Sequence, residues 1–222
     1  AESLLRSLPQ ADGPRFPRLE ALRIGGSMVT DDLRARMRQG LSEKLVVGYG
    51  TNECLLISLA VPEQVRNTPG TVGPPLPGVQ VQIVDGEGNP LPQGAIGLIR
   101  ARSPAMVDGY LDDEEATRSA FVDGWFHPGD LGRFSPEGQL IHCGRADQMM
   151  IMNGINIYPA EIEQCLTAHP AVRDAAAMPV DHPTYQEVPV CAVSLAEGAG
   201  ASGEDLQAYA RERLGVRGPR AV

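Results

Sequence analysis

A glutamate follows a short apolar segment that ends in glycine. The segment is LVVGYG at 45–50, and Thr51, Asn52 and Glu53 come directly after it. A carboxylate oxygen is a hard ligand, and protein-bound Mg²⁺ commonly bridges a carboxylate to phosphate oxygens. By itself, however, a glutamate after a strand is more often a solvated loop charge, so its position alone does not establish a metal site.

Two further charged residues, Asp130 and Arg145, have side chains that could bind a sugar or a phosphate. Asp130 ends the turn GWFHPGD at 124–130, and one carboxylate can accept hydrogen bonds from both hydroxyls of a sugar diol. In isolation, an Asx turn that closes a loop is the favoured explanation. Arg145 offers a planar fork of donors to a ribose or phosphate oxygen, but Arg145 and Asp147 could equally form an exposed ion pair of little energetic value.

The residues before Glu53 alternate between strand and helix patterns. ALRIGGS at 21–27 reads as a buried strand that runs into a glycine turn, and LVVGYG reads as a second strand. Between them Thr30 is a helix N-cap, followed by apolar residues at four-residue spacing: Leu33, Met37 and Leu41. This order predicts the tail of a parallel α/β sheet over residues 1–60, and such sheets bind ligands at the carboxyl ends of their strands.

The middle of the chain, residues 61–145, has the texture of a β-rich subdomain. VQVQIV at 79–84 alternates polar and apolar residues, and AIGLIRAR at 95–102 continues the extended pattern after a glycine-rich turn. The stretch SPEG at 135–138 has proline second and glycine fourth, as a type I turn prefers. We therefore expect a hairpin whose second strand ends at Arg145.

Residues 146–222 predict a small, mobile α+β C-terminal domain. Pro159 can open a helix over PAEIEQCLTA that buries Ile162 and Leu166. Two apolar strands, VRDAAAMPV and VPVCAVSL, a small-residue loop and a last helix, EDLQAYARERL, follow. The predicted fold class is thus α/β and α+β: the tail of a parallel α/β subdomain, a β-rich subdomain and this small domain.

The composition excludes several classes of protein. Hydrophobic residues make up 42% of the chain and charged residues 21%, which predicts a globular protein, and the net charge of −9 disfavours nucleic acid and anionic membranes as partners. No apolar run of membrane-spanning length occurs, and residues 1–10 lack the basic flank and apolar stretch of a secretory signal, so we expect a cytoplasmic protein without a transmembrane segment.

Cysteine and lysine usage is also informative. The four cysteines are far apart and form no Cys-x-x-Cys pair, which predicts small buried hydrophobes and neither a zinc site nor a disulfide framework: Cys54, Cys143, Cys165 and Cys191. Lys44 is the only lysine among nineteen basic residues.

Three segments in order carry a resemblance to a known family. YGTNE, GWFHPGD and GRADQMMIMNGINIYPAEIE closely resemble three successive signatures of the adenylate-forming superfamily, which includes acyl-CoA and aryl-CoA synthetases, peptide-synthetase adenylation domains and firefly-type luciferases. The stretches TPGTVGPPLPGVQVQIVD and SPAMVDGYLDD are similar to that family as well. The similarity spans residues 21–215, and NIYPAEIE is typical of the CoA ligases.

The resemblance implies an activity and its cofactors. Members activate a small-molecule carboxylic acid with ATP, release pyrophosphate and pass the acyl group from AMP to a thiol such as that of CoA. Motif by motif, Tyr49 would lie against the adenine, with Gly50 beside it as a further nucleotide-binding residue. Asn52 would lie at a phosphate oxygen, Asp130 and Arg145 at the ribose, and Glu53 would be the catalytic ligand of Mg²⁺. Gly25 and Gly26 would let the acyl chain and the nucleotide approach the backbone.

The family's domain rotation assigns two more positions. Asp147 falls at the hinge, and Gly154 lies on the loop that lines the thiol tunnel, although a tight turn would equally require a glycine there. The family's glycine-rich phosphate loop and C-terminal Gly-Lys do not occur in these residues, so we expect a truncated chain that does not complete adenylation, because losing one such electrostatic contact typically costs about a hundredfold in rate.

Alternatives to a CoA ligase stay open at this point. An adenylation domain that loads a carrier-protein thiol would share every motif. Asn52 and Pro128 stand where the family commonly has threonine, and with the scarcity of lysine they leave room for a non-catalytic nucleotide- or acyl-binding module. Oxidative light-emitting relatives differ only in the fate of the adenylate, and nothing in the sequence supports that chemistry.

Overall fold

The protein contains two compact units. The structure is a computed structural model that describes Leu5 and residues 13–222. The first unit runs to His142 and the second covers Cys143–Val222. The sequence predicts that residues 1–10 lack a secretory signal. Except for Leu5, those residues lie outside the part of the chain that the structure describes. The mixed α/β and α+β fold class is confirmed, whereas the domain boundaries after residues 60 and 145 stay predictions.

A small sheet carries the strand that precedes Glu53. Its order is β1 (Leu22–Ile24), β2 (Leu45–Thr51), β3 (Leu55–Ala60). As predicted, β1 and β2 are parallel and are joined by a helix, α1 (Asp31–Gly40), which begins after Thr30, whose hydroxyl accepts the Leu33 N–H at 3.3 Å. The third strand, β3, returns antiparallel to β2, so Glu53 lies in the turn between them.

The second sheet confirms the β-rich character of the middle segment. Within the described residues it has seven strands in the order β4-β10-β9-β6-β8-β7, with β5 paired to the other side of β6. Its strands are β4 (Thr71–Gly73), β5 (Gln80–Val84), β6 (Gly97–Arg102), β7 (Phe121–Val122), β8 (Trp125–Phe126), β9 (Asp130–Phe134) and β10 (Leu140–Arg145). The predicted hairpin is present, closed by the Ser135 N–H bonded to the Gln139 carbonyl at 2.8 Å.

One apolar core joins these two sheets. Among its members are side chains that are at most 1% exposed: Leu41, Leu45, Ile57, Ile99 and Leu140. The short helix α2 (Pro62–Asn67) adds Val65 to this core, whereas α3 (Glu114–Ala120) buries no residue. Because β2 is covered by this core, the residues at its carboxyl end have a fixed backbone.

The second unit is the small α+β domain that the sequence predicts. Its sheet has the order β12 (Ile155–Ile157), β11 (Met150–Met152), β14 (Gln186–Leu195), β13 (Val172–His182). Helix α4 (Pro159–Thr167) buries Ile162 and Leu166 completely, as expected, and α5 (Gly203–Leu214) begins with a capping box between Ser202 and Asp205. These helices complete a core that is separate from the first.

The cysteine prediction holds for only two of the four residues. Within the described chain none of the four forms a disulfide; Cys54 and Cys191 are buried, as expected, but Cys143 and Cys165 are half-buried. Burial first, and the Glu53 charge second, raises the pKa of Cys54 to about 11. A thiol with that pKa stays protonated at neutral pH, so Cys54 is a packing residue and not a nucleophile.

Gly73 is required where β4 crosses the end of β3. Its φ is +86°, and a Cβ there would overlap the backbone of Leu59 and Ala60. Gly94 has nearly the same φ, +87°, but a Cβ there would meet nothing within 4 Å. The two glycines therefore separate the cost of a positive φ from the cost of a backbone collision.

We predict that Gly73→Ala destabilises the first unit by more than about 3 kcal/mol, because strain and overlap add. The matched control, Gly94→Ala, carries only the strain and should cost about 1 kcal/mol. Urea unfolding followed by the fluorescence of Trp125, the single tryptophan, measures both. Equal losses in the two variants would show that the collision is relieved by movement of β4.

Candidate functional site

A buried hydrogen bond links the two sequence motifs that carry Tyr49 and Asp130. The Tyr49 hydroxyl donates to Oδ2 of Asp130 at 2.6 Å, across 81 residues of sequence. Tyr49 ends the covered part of β2 and is 9% exposed, while Asp130 begins β9 and is 6% exposed. The sequence predicts that Tyr49 contacts the adenine and that Asp130 accepts hydrogen bonds from the ribose of one nucleotide. The structure brings these two residues together.

His142 completes this cluster, and the sequence did not assign it a role. Its Nε2 lies 3.7 Å from Oδ1 of Asp130, and its ring centroid lies 5.3 Å from that of Tyr49. When the imidazole is protonated it places a positive charge beside the carboxylate. A histidine within a strand pattern gives no local sign of a carboxylate partner, so only the pairing of β9 with β10 reveals it.

The Glu53 side chain is hydrogen-bonded to a tyrosine, Tyr110, to which the sequence analysis also assigned no role. The Tyr110 hydroxyl donates to Oε1 of Glu53 at 2.8 Å. Glu53 is half-buried, and its Oε2 accepts no hydrogen bond from the described residues. The signal available in the sequence was the stretch SPAMVDGYLDD, which was used only for the family resemblance. Asn52, beside Glu53, is exposed.

The predicted glycines line one cavity. A volume of about 330 Å³ opens next to β1 and β2, and it is lined by Arg23, Ile24, Gly25, Gly26, Gly48, Gly50, Leu56 and Leu59. A Cβ on Gly25 would lie 2.8 Å from the Gly48 carbonyl oxygen, and one on Gly50 would lie 2.9 Å from Leu56 Cα. Glycine at these positions therefore keeps the strands in close contact, and with Gly26 leaves backbone exposed to the cavity.

The predicted nucleotide contact Arg145 and the predicted hinge Asp147 are bonded to each other. Nε and Nη2 of Arg145 lie 3.3 Å from Oδ1 and Oδ2 of Asp147, respectively. The side chains are 45% and 67% exposed, so the pair contributes at most about 1 kcal/mol. Asp147 lies in a single 3₁₀ turn, Ala146–Gln148. The roles of both residues toward a nucleotide and a rotation stay predictions.

Gly154 occupies the turn between β11 and β12. Asn153 and Gly154 have φ values of +50° and +78°, and they connect Met152 to its strand partner Ile155. Two residues of positive φ are what a tight hairpin of type I′ needs, and Asn-Gly is its commonest sequence. The turn geometry alone accounts for this glycine, while its predicted place beside a thiol tunnel stays a prediction.

Two family profiles match this chain. The sequence profile of the family described as AMP-binding enzyme matches residues 1–111, and that of the AMP-binding enzyme C-terminal domain matches residues 161–218. The chain belongs to the AMP-binding, adenylate-forming family. The resemblance seen in the motifs is therefore confirmed.

Named relatives of this family member include several CoA ligases. A feruloyl-CoA synthase from an Amycolatopsis species is 35% identical over 207 residues, covering 92% of this chain and 42% of the relative. A putative acyl-CoA ligase from Bacillus subtilis is 32% identical, with 88% of this chain and 39% of the relative covered. This chain spans about two fifths of the length of these relatives.

Solved structures show the same fold. The amide bond synthetase McbA from Marinactinospora thermotolerans has a TM-score of 0.87 at 36% identity, covering 91% of this chain and 42% of that one. The o-succinylbenzoate CoA synthetase of Bacillus subtilis, in complex with its acyl-adenylate intermediate, has a TM-score of 0.84 at 29% identity, covering 99% and 44%. In the described part of the AMP-binding family chain, no helix has the length and apolarity needed to span a membrane.

We predict that Tyr49→Phe destabilises the first unit by about 1–3 kcal/mol, because a buried carboxylate oxygen loses a hydrogen-bond donor. The transition is again read from Trp125 fluorescence during urea unfolding. Tyr185→Phe, a change at a tyrosine that is 41% exposed in the second unit, is the control and should leave this transition unchanged. A Tyr49→Phe protein as stable as the wild type would show that the Asp130 oxygen finds another donor.

Proposed function

We propose that the full-length protein is an ATP-dependent ligase that activates a carboxylic acid as its acyl adenylate and then transfers the acyl group to the thiol of CoA. The observation that carries the proposal is the 2.6 Å hydrogen bond between Tyr49 and Asp130, which joins two family motifs at one place in the first unit. The CoA ligases among the relatives support the reaction class.

Asp130 is the proposed acceptor for the ribose hydroxyls. A carboxylate has about four lone-pair sites and can accept several hydrogen bonds at once, of which the one from Tyr49 is an example. Tyr49 packs in the core and its ring contacts that of His142. The aromatic side chain proposed to contact adenine is therefore held in one position by its neighbours.

Glu53 fits the proposed role of a Mg²⁺ ligand. No cluster of three or more metal-binding side chains exists in the described chain, so a metal ion here would be bound by few protein groups. Mg²⁺ suits such a position, because it keeps several waters and is usually bound through one or two carboxylates plus phosphate oxygens. When bound, the ion would neutralise charge on the phosphates. The hydrogen bond from Tyr110 fixes the direction of the Glu53 carboxylate.

The acid substrate is proposed to lie along the cavity of about 330 Å³ beside β1 and β2. Apart from Arg23, the lining consists of leucine, isoleucine and glycine residues, which favours an acid with an apolar body, either acyl or aryl. In the first half-reaction a carboxylate oxygen attacks the α-phosphate of ATP and pyrophosphate leaves. In the second, the CoA thiol attacks the acyl carbonyl and AMP leaves.

For the second half-reaction we propose that the small domain turns about Asp147 and that Gly154 then lines the path of the thiol. Their support is the family match, which covers residues on both sides of this segment. We also propose that residues 1–222 by themselves do not complete adenylation, because the family's glycine-rich phosphate loop and its C-terminal Gly-Lys do not occur in them.

Other acceptors define the alternatives. A carrier-protein thiol would use the same first half-reaction, and an amine acceptor is suggested by the similarity to an amide bond synthetase at 36% identity. A non-catalytic binding module, from another functional class, would bind nucleotide without forming the adenylate. Single-turnover assays with CoA, a phosphopantetheinylated carrier protein and simple amines separate these outcomes.

We predict that the full-length protein catalyses carboxylate-dependent exchange of labelled pyrophosphate into ATP. A panel of aliphatic and aromatic acids tests this, with reactions lacking acid as the control. Exchange over background identifies the activating half-reaction whatever the acceptor is. Absence of exchange over the whole panel, together with measurable ATP binding, would instead favour the non-catalytic module.

We further predict that Asp130→Asn in the full-length protein raises the dissociation constant for ATP and for AMP about tenfold or more, because hydrogen bonds to a charged acceptor become bonds to a neutral one. Calorimetric titration measures both ligands. Asp181→Asn, at an exposed aspartate on β13, is the control. Unchanged affinity in Asp130→Asn would remove Asp130 from the nucleotide site.

A further inference from the structure

The segment 103–120 is bonded to Glu53 at two points. The Val107 N–H donates to the backbone carbonyl of Glu53 at 2.9 Å, and the Tyr110 hydroxyl donates to its Oε1 at 2.8 Å. One bond fixes the main chain of the glutamate and the other fixes its side chain. The carboxylate therefore has a defined direction, although it lies in a turn between two strands.

Tyr110 is itself held in place by its neighbours. Its N–H donates to Oγ1 of Thr117 at 2.8 Å, and the Thr117 hydroxyl donates to the Asp113 carbonyl at 2.7 Å. Its ring meets Phe121 edge-on with centroids 5.6 Å apart, and Phe121 in turn lies 5.1 Å from Phe126, which is 2% exposed. The phenol is thus fixed to α3 on one side and to the core on the other.

The chemistry of a phenol matters at this position. An arginine or lysine donor would cancel the negative charge that a cation needs, whereas a neutral hydroxyl orients the carboxylate and leaves its charge intact. The direction of the hydrogen bond follows from its partners, because the phenol has a proton to donate and a carboxylate oxygen only accepts.

We propose that Tyr110 is a positioning residue that orients the Glu53 carboxylate toward the Mg²⁺-bound phosphates of the nucleotide. The proposal rests on the proposed function of Glu53. Oε1 is bonded to the phenol, and Oε2 accepts no hydrogen bond from the described chain, so the second oxygen is the one presented to the ion. Tyr110 acts through Glu53 and does not itself contact substrate.

Tyr110→Phe removes the hydroxyl and keeps the ring against Phe121. Because Tyr110 is 38% exposed, the change leaves no buried cavity and the protein should fold normally. In the full-length protein we expect the Mg²⁺ concentration for half-maximal pyrophosphate exchange to rise about fivefold to tenfold, while the KM for the acid stays unchanged. Tyr185→Phe is the matched control.

A binding measurement provides a readout besides activity. Calorimetry with a non-hydrolysable ATP analogue, in Mg²⁺ and separately in a chelator, should show that Tyr110→Phe weakens only the Mg²⁺-dependent part of the affinity. In a double-mutant cycle, Tyr110→Phe should have no further effect in a Glu53→Gln background, because the positioned group is already lost. Both results support a positioning role.

Other outcomes overturn the proposal. An equal loss of affinity with and without Mg²⁺, or an effect of Tyr110→Phe that persists in the Glu53→Gln background, would assign Tyr110 a purely structural role. An unchanged Mg²⁺ dependence would show that Glu53 needs no orienting partner. Failure of the proposed function appears separately, as an absence of exchange and of Mg²⁺-dependent nucleotide binding in the wild-type protein, and would overturn both.

Discussion

The hydrogen bond between Tyr49 and Asp130 is the constraint on which the candidate site depends. It is buried, its two residues are 81 positions apart in sequence, and each residue lies in a different sheet. An unbonded carboxylate in such a place would be costly, because burial removes the water that stabilises its charge. The bond therefore links the folding of the β-rich sheet to the geometry at the end of β2.

Each of the two carboxylates of the site accepts a hydrogen bond from a tyrosine hydroxyl, but the two differ in burial. Asp130 is 6% exposed and receives the hydroxyl of Tyr49, whereas Glu53 is half-buried and receives that of Tyr110. Both tyrosines are neutral donors, so neither of them cancels the charge of the carboxylate that it binds. The buried one suits hydroxyl groups, which need acceptors and carry no charge, and the more exposed one suits a hydrated cation.

Elements with a strong apolar period were predictable from the sequence, and the others were not. Leu33 with Met37 identified α1, and Ile162 with Leu166 identified α4, because these side chains face a core. Helix α3 buries no residue and so left no periodic signal. Strands β13 and β14 extend to His182 and Gln186, beyond their apolar patterns, because cross-strand backbone bonds continue where side chains are polar.

For the candidate site, the sequence placed Tyr49, Glu53 and Asp130 through motifs but gave no sign of which side chains touch them. Tyr110 lies 57 residues from Glu53, and His142 meets Asp130 only through strand pairing.

Lys44, which is exposed just before β2, is the only lysine in the sequence. The chain carries one ε-amine, so an amine-directed dye or cross-linker would label a single side chain in the first unit and leave every guanidinium unmodified.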